Sequence, residues 1–198
     1  MITKTVPPVD QNPHKHPFFT IIERPNDRLQ HLAVLARMVL LERHDGFGNV
    51  NDTAVIHFID EGLVPDGIGN DSYENTPVAK AVLRTLNVFY DIFKDDTLVK
   101  GGGKVKELKT EYFILSFFLL LRHLLKHYVF EAEERKLFKE FLIAFHARWK
   151  ARDHNDNTLL VFADHRQQTG ADIQVRHRIL RQLFFEFVAQ KQHQMLLK

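Results

Sequence analysis

Cysteine is absent from this 198-residue chain. Disulfides and thiolate-bound zinc are thereby excluded, and the cytoplasm is the expected compartment. Aromatic residues with a polar handle are also scarce, with one Trp and four Tyr against 17 Phe. A ring that carries no hydrogen-bonding group belongs mainly in a core, so most of these Phe are expected inside. Long hydrophobic runs are missing too. The most apolar stretch, residues 112–125, contains Ser116, Arg122 and His123, and a bilayer requires roughly 20 consecutive apolar residues. No membrane partner is expected. Residues 1–17 hold no apolar segment of the kind a signal peptide needs. The net charge is only +2, which gives no global field to attract nucleic acid.

Charge is distributed less evenly than that total suggests. Residues 51–75 carry Asp52, Asp60, Glu61, Asp66, Asp71 and Glu74 with no Lys or Arg. Residues 165–198 carry six bases (Arg166, Arg176, Arg178, Arg181, Lys191, Lys198) against Asp172 and Glu186.

Apolar periodicity and capping signals predict an all-α fold: one bundle of about six helices around a central helix over about 110–127. Residues 1–19, with four Pro, read as an extended N-terminal arm, and residues 20–198 as the helical domain. A first helix spans 28–44, capped by Asn26 or Asp27, with Leu29, Leu32, Ala33, Ala36, Val39 and Leu40 as its apolar face. Asn51 or Asp52 caps a short helix, and a turn-rich stretch follows over 63–75. Thr76-Pro77 opens a helix whose stripe is Val78, Val82, Leu86, Phe89 and Phe93. A loop with Gly101-Gly102-Gly103 at its tip leads to the central helix, which is apolar nearly all round, as a helix surrounded by neighbours must be. Glu131, Glu133 and Glu134 start the next helix, where acids suit the dipole. The short apolar segment 159–162 is not assignable from pattern. Thr169 with Asp172 resembles a capping box for a last helix over about 171–190, with Arg176 and Arg181 on its polar side.

Few motifs suggest chemistry. Arg122 and His127 fit the R-x4-H spacing of HEPN-type metal-independent ribonucleases, in which Arg stabilises the scissile phosphate and His transfers the proton. Four R-x(4–6)-H matches occur (Arg24/His31, Arg37/His44, Arg122/His127, Arg148/His154), against about two expected by chance. The alternative is that Arg122, His123, Lys126 and His127 form the solvated end of the central helix. His123 and His127, four apart, could also share a metal, but the zinc-protease motif needs Glu where Leu124 stands. Gly101-Gly102-Gly103-Lys104 lacks the first Gly and the final Ser or Thr of a phosphate loop. No cofactor and no metal are expected. The densest polar cluster, residues 164–169, precedes a helix N-terminus that could hold an anion. With Arg166, Arg176, Arg178 and Arg181 it forms the candidate nucleic-acid contact. Its alternative is a capped loop hydrogen-bonded to the body.

Five strings occur together in order: Arg37-Met38-Val39-Leu40-Leu41-Glu42, Glu107-Leu108-Lys109-Thr110-Glu111-Tyr112-Phe113, Leu119-Leu120-Leu121-Arg122-His123-Leu124, Phe145-His146-Ala147-Arg148-Trp149 and Asp164-His165-Arg166-Gln167-Gln168. They resemble the helical region of the GmrSD-type family of modification-dependent restriction proteins, over most of residues 17–188. Members of that family carry a ParB/sulfiredoxin-like domain with a D-G-Q-Q-R motif, and many end in an HNH nuclease domain. Neither motif is present here, and Gln167-Gln168 follows a different triplet. The resemblance therefore implies a non-catalytic helical linker or regulatory module, with the rest of a larger multidomain protein and DNA as partners. The alternatives are a stand-alone HEPN-like ribonuclease using Arg122 and His127, and a helical oligomerisation domain that pairs with further copies of itself.

Overall fold

The computed structural model describes residues 16–22, 30–60, 75–94, 106–151 and 156–196. Among them there is no strand. The helices are α1 (Pro17–Ile21), α2 (Gln30–Arg43), α3 (Asp52–Asp60), α4 (Pro77–Phe93), α5 (Glu111–His127), α6 (Ala132–Ala151), α7 (Asn157–Asp164) and α8 (Gly170–Leu196), with a 3-10 turn at Lys106–Lys109 before α5. This is the expected all-α bundle around an apolar central helix, with eight α-helices among the described residues in place of about six.

The two additional helices are short. Helix α7 forms around the unassigned apolar segment, because the Asp156 carboxylate accepts the Leu159 N–H at 3.1 Å and Leu159 and Phe162 turn inward. Helix α1 takes Pro17, Phe18 and Phe19 out of the expected arm. Pro17 fixes its first turn, and Phe18 stacks on Phe89 of α4 with centroids 4.9 Å apart. The rest of the arm (residues 1–15), the caps at Asn26 and Asp27, the acidic turn-rich stretch from Glu61 to Glu74 and the Gly101–Gly103 tip lie outside the described residues.

Helix α5 sits at the centre, against α2, α4 and α8. Every residue from Phe113 to Leu121 is buried, including Ser116. Its rings continue the core into α6 and α7: Phe113 and Phe117 meet Phe145 edge-on, and Phe113 lies 5.8 Å from Phe162. Of the 17 Phe, 13 are buried, and Phe47 is the one that is largely exposed.

Two faces differ from their sequence patterns. On α2 the buried positions are His31, Val34, Arg37, Met38, Val39, Leu40 and Leu41, while Leu32 is exposed. Neighbours on more than one side bury Arg37 along with its apolar surroundings. Its Nε donates to the Val50 carbonyl at 2.9 Å, and it pairs with Asp52 and Glu111. On α8, Arg176 faces the core rather than solvent.

Candidate functional site

The end of α2 shapes the first wall of the site. The Gly46 N–H donates to Leu41 O and the Asp45 N–H to Glu42 O, at 2.6 and 3.2 Å. This is a Schellman stop, in which the residue one past the cap takes the left-handed conformation. Here that residue is Asp45 (φ 53°), followed by Gly46 (φ 96°). A Cβ on Gly46 would lie 3.3 Å from the Arg122 guanidinium and 3.5 Å from Leu119. Glycine therefore lets α5 approach the turn.

The turn aims two carboxylates at the polar end of α5. Arg122 Nε donates to Glu42 Oε2 at 2.5 Å, and its Nη2 donates to Glu42 Oε1 at 3.2 Å and to Asp45 Oδ1 at 2.7 Å. Lys126 Nζ reaches the same Asp45 oxygen at 2.7 Å. Burial alone would lower the Arg122 pKa, but the bonds to Glu42 and Asp45 outweigh it and raise it. Lys126 and Arg122 in turn hold the Asp45 carboxyl down at about 2.

Three imidazoles line the opposite side. His123 and His127 lie one turn apart, their rings tilted at 48° with centroids 4.7 Å apart. His177 of α8 meets His123 edge-on at 5.5 Å and the Phe47 ring at 5.7 Å. His177 is buried, and its Nδ1 has no hydrogen-bond partner. Burial pushes His177 down to about 4, helped by His123, Arg181 and Arg122. His123 is lowered too, by burial first and then by His127, Arg181 and Arg122. Asp45, Arg122, Lys126 and the three imidazoles border a pocket of about 130 Å³. Among the described residues no group of three or more His, Asp or Glu side chains is placed to hold a metal ion.

The sequence-predicted residues divide accordingly. Arg122 and His127 do line one pocket, with the Arg122 charge already met by two carboxylates. Arg166 is exposed, donates to Ala163 O at 2.7 Å and lies over the Tyr112 ring. Arg178 and Arg181 are exposed on α8 and make no ion pair among the described residues.

Arg176 corrects its assignment as a phosphate contact. It is 1% exposed. Its Nε donates to Ser116 Oγ at 2.9 Å, one Nη to the carbonyls of His165 and Gln167, and the other to Gln168 Oε1. The 164–169 cluster is thus a capped loop. Asp172 accepts the Gln167 N–H at 3.0 Å, Thr169 Oγ1 accepts the Asp172 N–H, and Asn49 Oδ1 accepts the Gly170 N–H at 2.8 Å. The Gly170 and Asp172 N–H groups at the α8 N-terminus are therefore met from within the fold.

Sequence reasoning missed His177, Glu42 and Asp45 as parts of the site. The local signal for His177 was its place on the stripe Ile173, Arg176, His177, Leu180 and Phe184, all buried. No protein-family model matches this chain, and neither curated proteins nor solved structures give a significant match. Among the described residues no helix is long and apolar enough to cross a membrane.

Proposed function

We propose that this chain is a non-catalytic helical module of a GmrSD-like DNA-processing protein that touches DNA phosphates through α8. The observation that carries the reading is the pair Arg178 and Arg181. They are three residues apart and so share one helix face, both are exposed, and neither is matched by a carboxylate among the described residues. Arg166 adds an exposed cation near the start of α8. The five family-like strings support the assignment to a DNA-processing context. In this reading the bundle positions and regulates, and cleavage belongs to other parts of the protein.

The test is a salt titration of duplex DNA binding by wild type and by an Arg178→Ala/Arg181→Ala double variant. Affinity should fall as salt rises, and the double variant should reduce the salt slope by about 2, one for each lost phosphate contact. Absence of binding at low salt overturns the DNA reading.

A second reading, a HEPN-like ribonuclease, is favoured by one observation: Arg122 and His127 border the same pocket as His123 and His177. RNA cleavage by wild type that His127→Ala abolishes would support it, and intact RNA with wild type would end it.

A further inference from the structure

The pocket between the α2 turn, α5 and α8 has a charge pattern that neither the bundle nor the DNA-contact reading requires. It is lined by Asp45 from the turn after α2, by Arg122, His123, Lys126 and His127 from α5, and by His177 from α8. Glu42 holds Arg122 from outside the lining, and Arg181 acts electrostatically on His123 and His177. On the lining two permanent cations, Arg122 and Lys126, meet one carboxylate, Asp45, and a proton on His123 or His177 adds to the excess. His177, on the lining of this space, has a buried Nδ1 with no hydrogen-bond partner. A buried polar atom in that state costs on the order of 1–3 kcal/mol unless a ligand or water satisfies it. A volume of about 130 Å³ is several times the roughly 10–15 Å³ that one water requires, so a tetrahedral oxyanion fits.

We propose that the pocket formed by Arg122, His123, Lys126, His127 and His177 binds a compact oxyanion, the terminal phosphate of a phosphate monoester or the free ion, and takes up a proton as it does so. Asp45 holds the place of the anion on Arg122 and Lys126. It is exposed and sits on a turn, so an incoming phosphate can compete for both cations. The arriving negative charge would offset the burial, and the weaker repulsion from neighbouring charges, that lower His123 and His177, and binding therefore draws protons onto these two imidazoles. An internal phosphodiester, with a chain on both sides, suits a pocket of this size less well than a chain end. Neither Arg178 nor Arg181 lines the pocket, so failure of the proposal and failure of the DNA reading are separable.

The experiment titrates the full chain with sodium sulfate at pH 7.5 and 5.5 by calorimetry, following the imidazole signals by NMR. Sulfate keeps its charge across this range, so any pH dependence belongs to the protein. Binding should tighten by roughly five- to tenfold at the lower pH, as expected for linkage to about one proton, with the His123 and His177 signals shifting. Asp45→Asn should tighten binding by removing the competing carboxylate. The half-buried position makes His123→Gln tolerable to the fold, and this variant should weaken binding and flatten its pH dependence. Inorganic phosphate and a 5′-phosphorylated oligonucleotide should compete with sulfate, whereas the same oligonucleotide with a 5′-hydroxyl should not. Absence of sulfate binding at tens of millimolar, pH-independent binding that leaves the histidine signals in place, or equal competition by both oligonucleotides would each overturn the proposal.

Discussion

Arg176 is a buried cation that holds a loop by its carbonyl oxygens. Burial lowers its pKa to about 10, with Asp172 and Tyr112 nearby opposing the shift, and at neutral pH it remains charged. Its planar fork is what allows one side chain to reach Ser116 on α5, two carbonyls of the α7–α8 loop and the Gln168 side chain together. Arg176→Ala would leave the buried Ser116 hydroxyl and the part-buried loop acceptors without this donor, at about 1–3 kcal/mol for a fully buried group and less for those that water can reach. A total loss near 3 kcal/mol is expected, a fall in Tm of roughly 6–12 °C for a chain of this size. Arg176→Lys should recover little of it, because an ammonium cannot span the same acceptors. Thermal unfolding of both variants decides the matter: a near-wild-type Tm for the lysine variant would show that charge, not the fork, is what the loop needs.

At the scale of elements, capping separates two helices that begin alike. Thr76 precedes Pro77 at the start of α4, and its hydroxyl accepts the Ala79 N–H at 3.1 Å in a buried setting. Thr110 precedes α5, and its side chain makes no capping bond. Thr76→Ala should therefore cost about 1 kcal/mol, while Thr110→Ala should stay within about 0.5 kcal/mol, both read from urea midpoints. Equal losses would mean that the Thr76 hydroxyl is not what fixes α4. The same contrast explains what was legible beforehand. Helix α4 could be read from sequence because its cap, its Pro and its stripe are all local. The α5 core was legible because nine consecutive residues are buried whichever way the helix faces. Arg176 on α8 was misplaced on the polar side, and the burial of Arg37 on α2 was not foreseen, since burial of a cation depends on carbonyls and carboxylates that periodicity does not contain. The pocket was half legible for the same reason. His123 and His127 lie on one helix, whereas His177 and Asp45 reach it from elements 54 and 78 positions from His123 in the chain.

Across the whole molecule, acid should act on folding mainly through histidine. His177 titrates at about 4 in the folded chain because it is buried beside His123, Arg181 and Arg122. His16 and His123 are lowered as well, each by burial first. An unfolded chain takes up these protons near the usual value of about 6.5. Between that value and about 4 the unfolded state thus binds more protons than the folded one, and stability must rise with pH across the window. Read downwards, the stabilisation is complete above about 6.5 and is lost as the pH falls to about 4. His177 alone, pushed from the usual 6.5 to about 4, should account for a loss on the order of 3 kcal/mol. Asp45, held at about 2, acts only below the ordinary carboxylate range and is too exposed to matter much. Urea midpoints at pH 7.5, 5.5 and 4.5 should therefore fall steadily for wild type. For His177→Gln, whose side chain carries no charge at any of these pH values, the midpoints should fall less. Parallel slopes in the two proteins would remove His177 as the source. Sulfate supplies a second control, because an anion seated among the imidazoles favours their protonated forms and should restore part of the acid-side stability of wild type, with less effect on the variant.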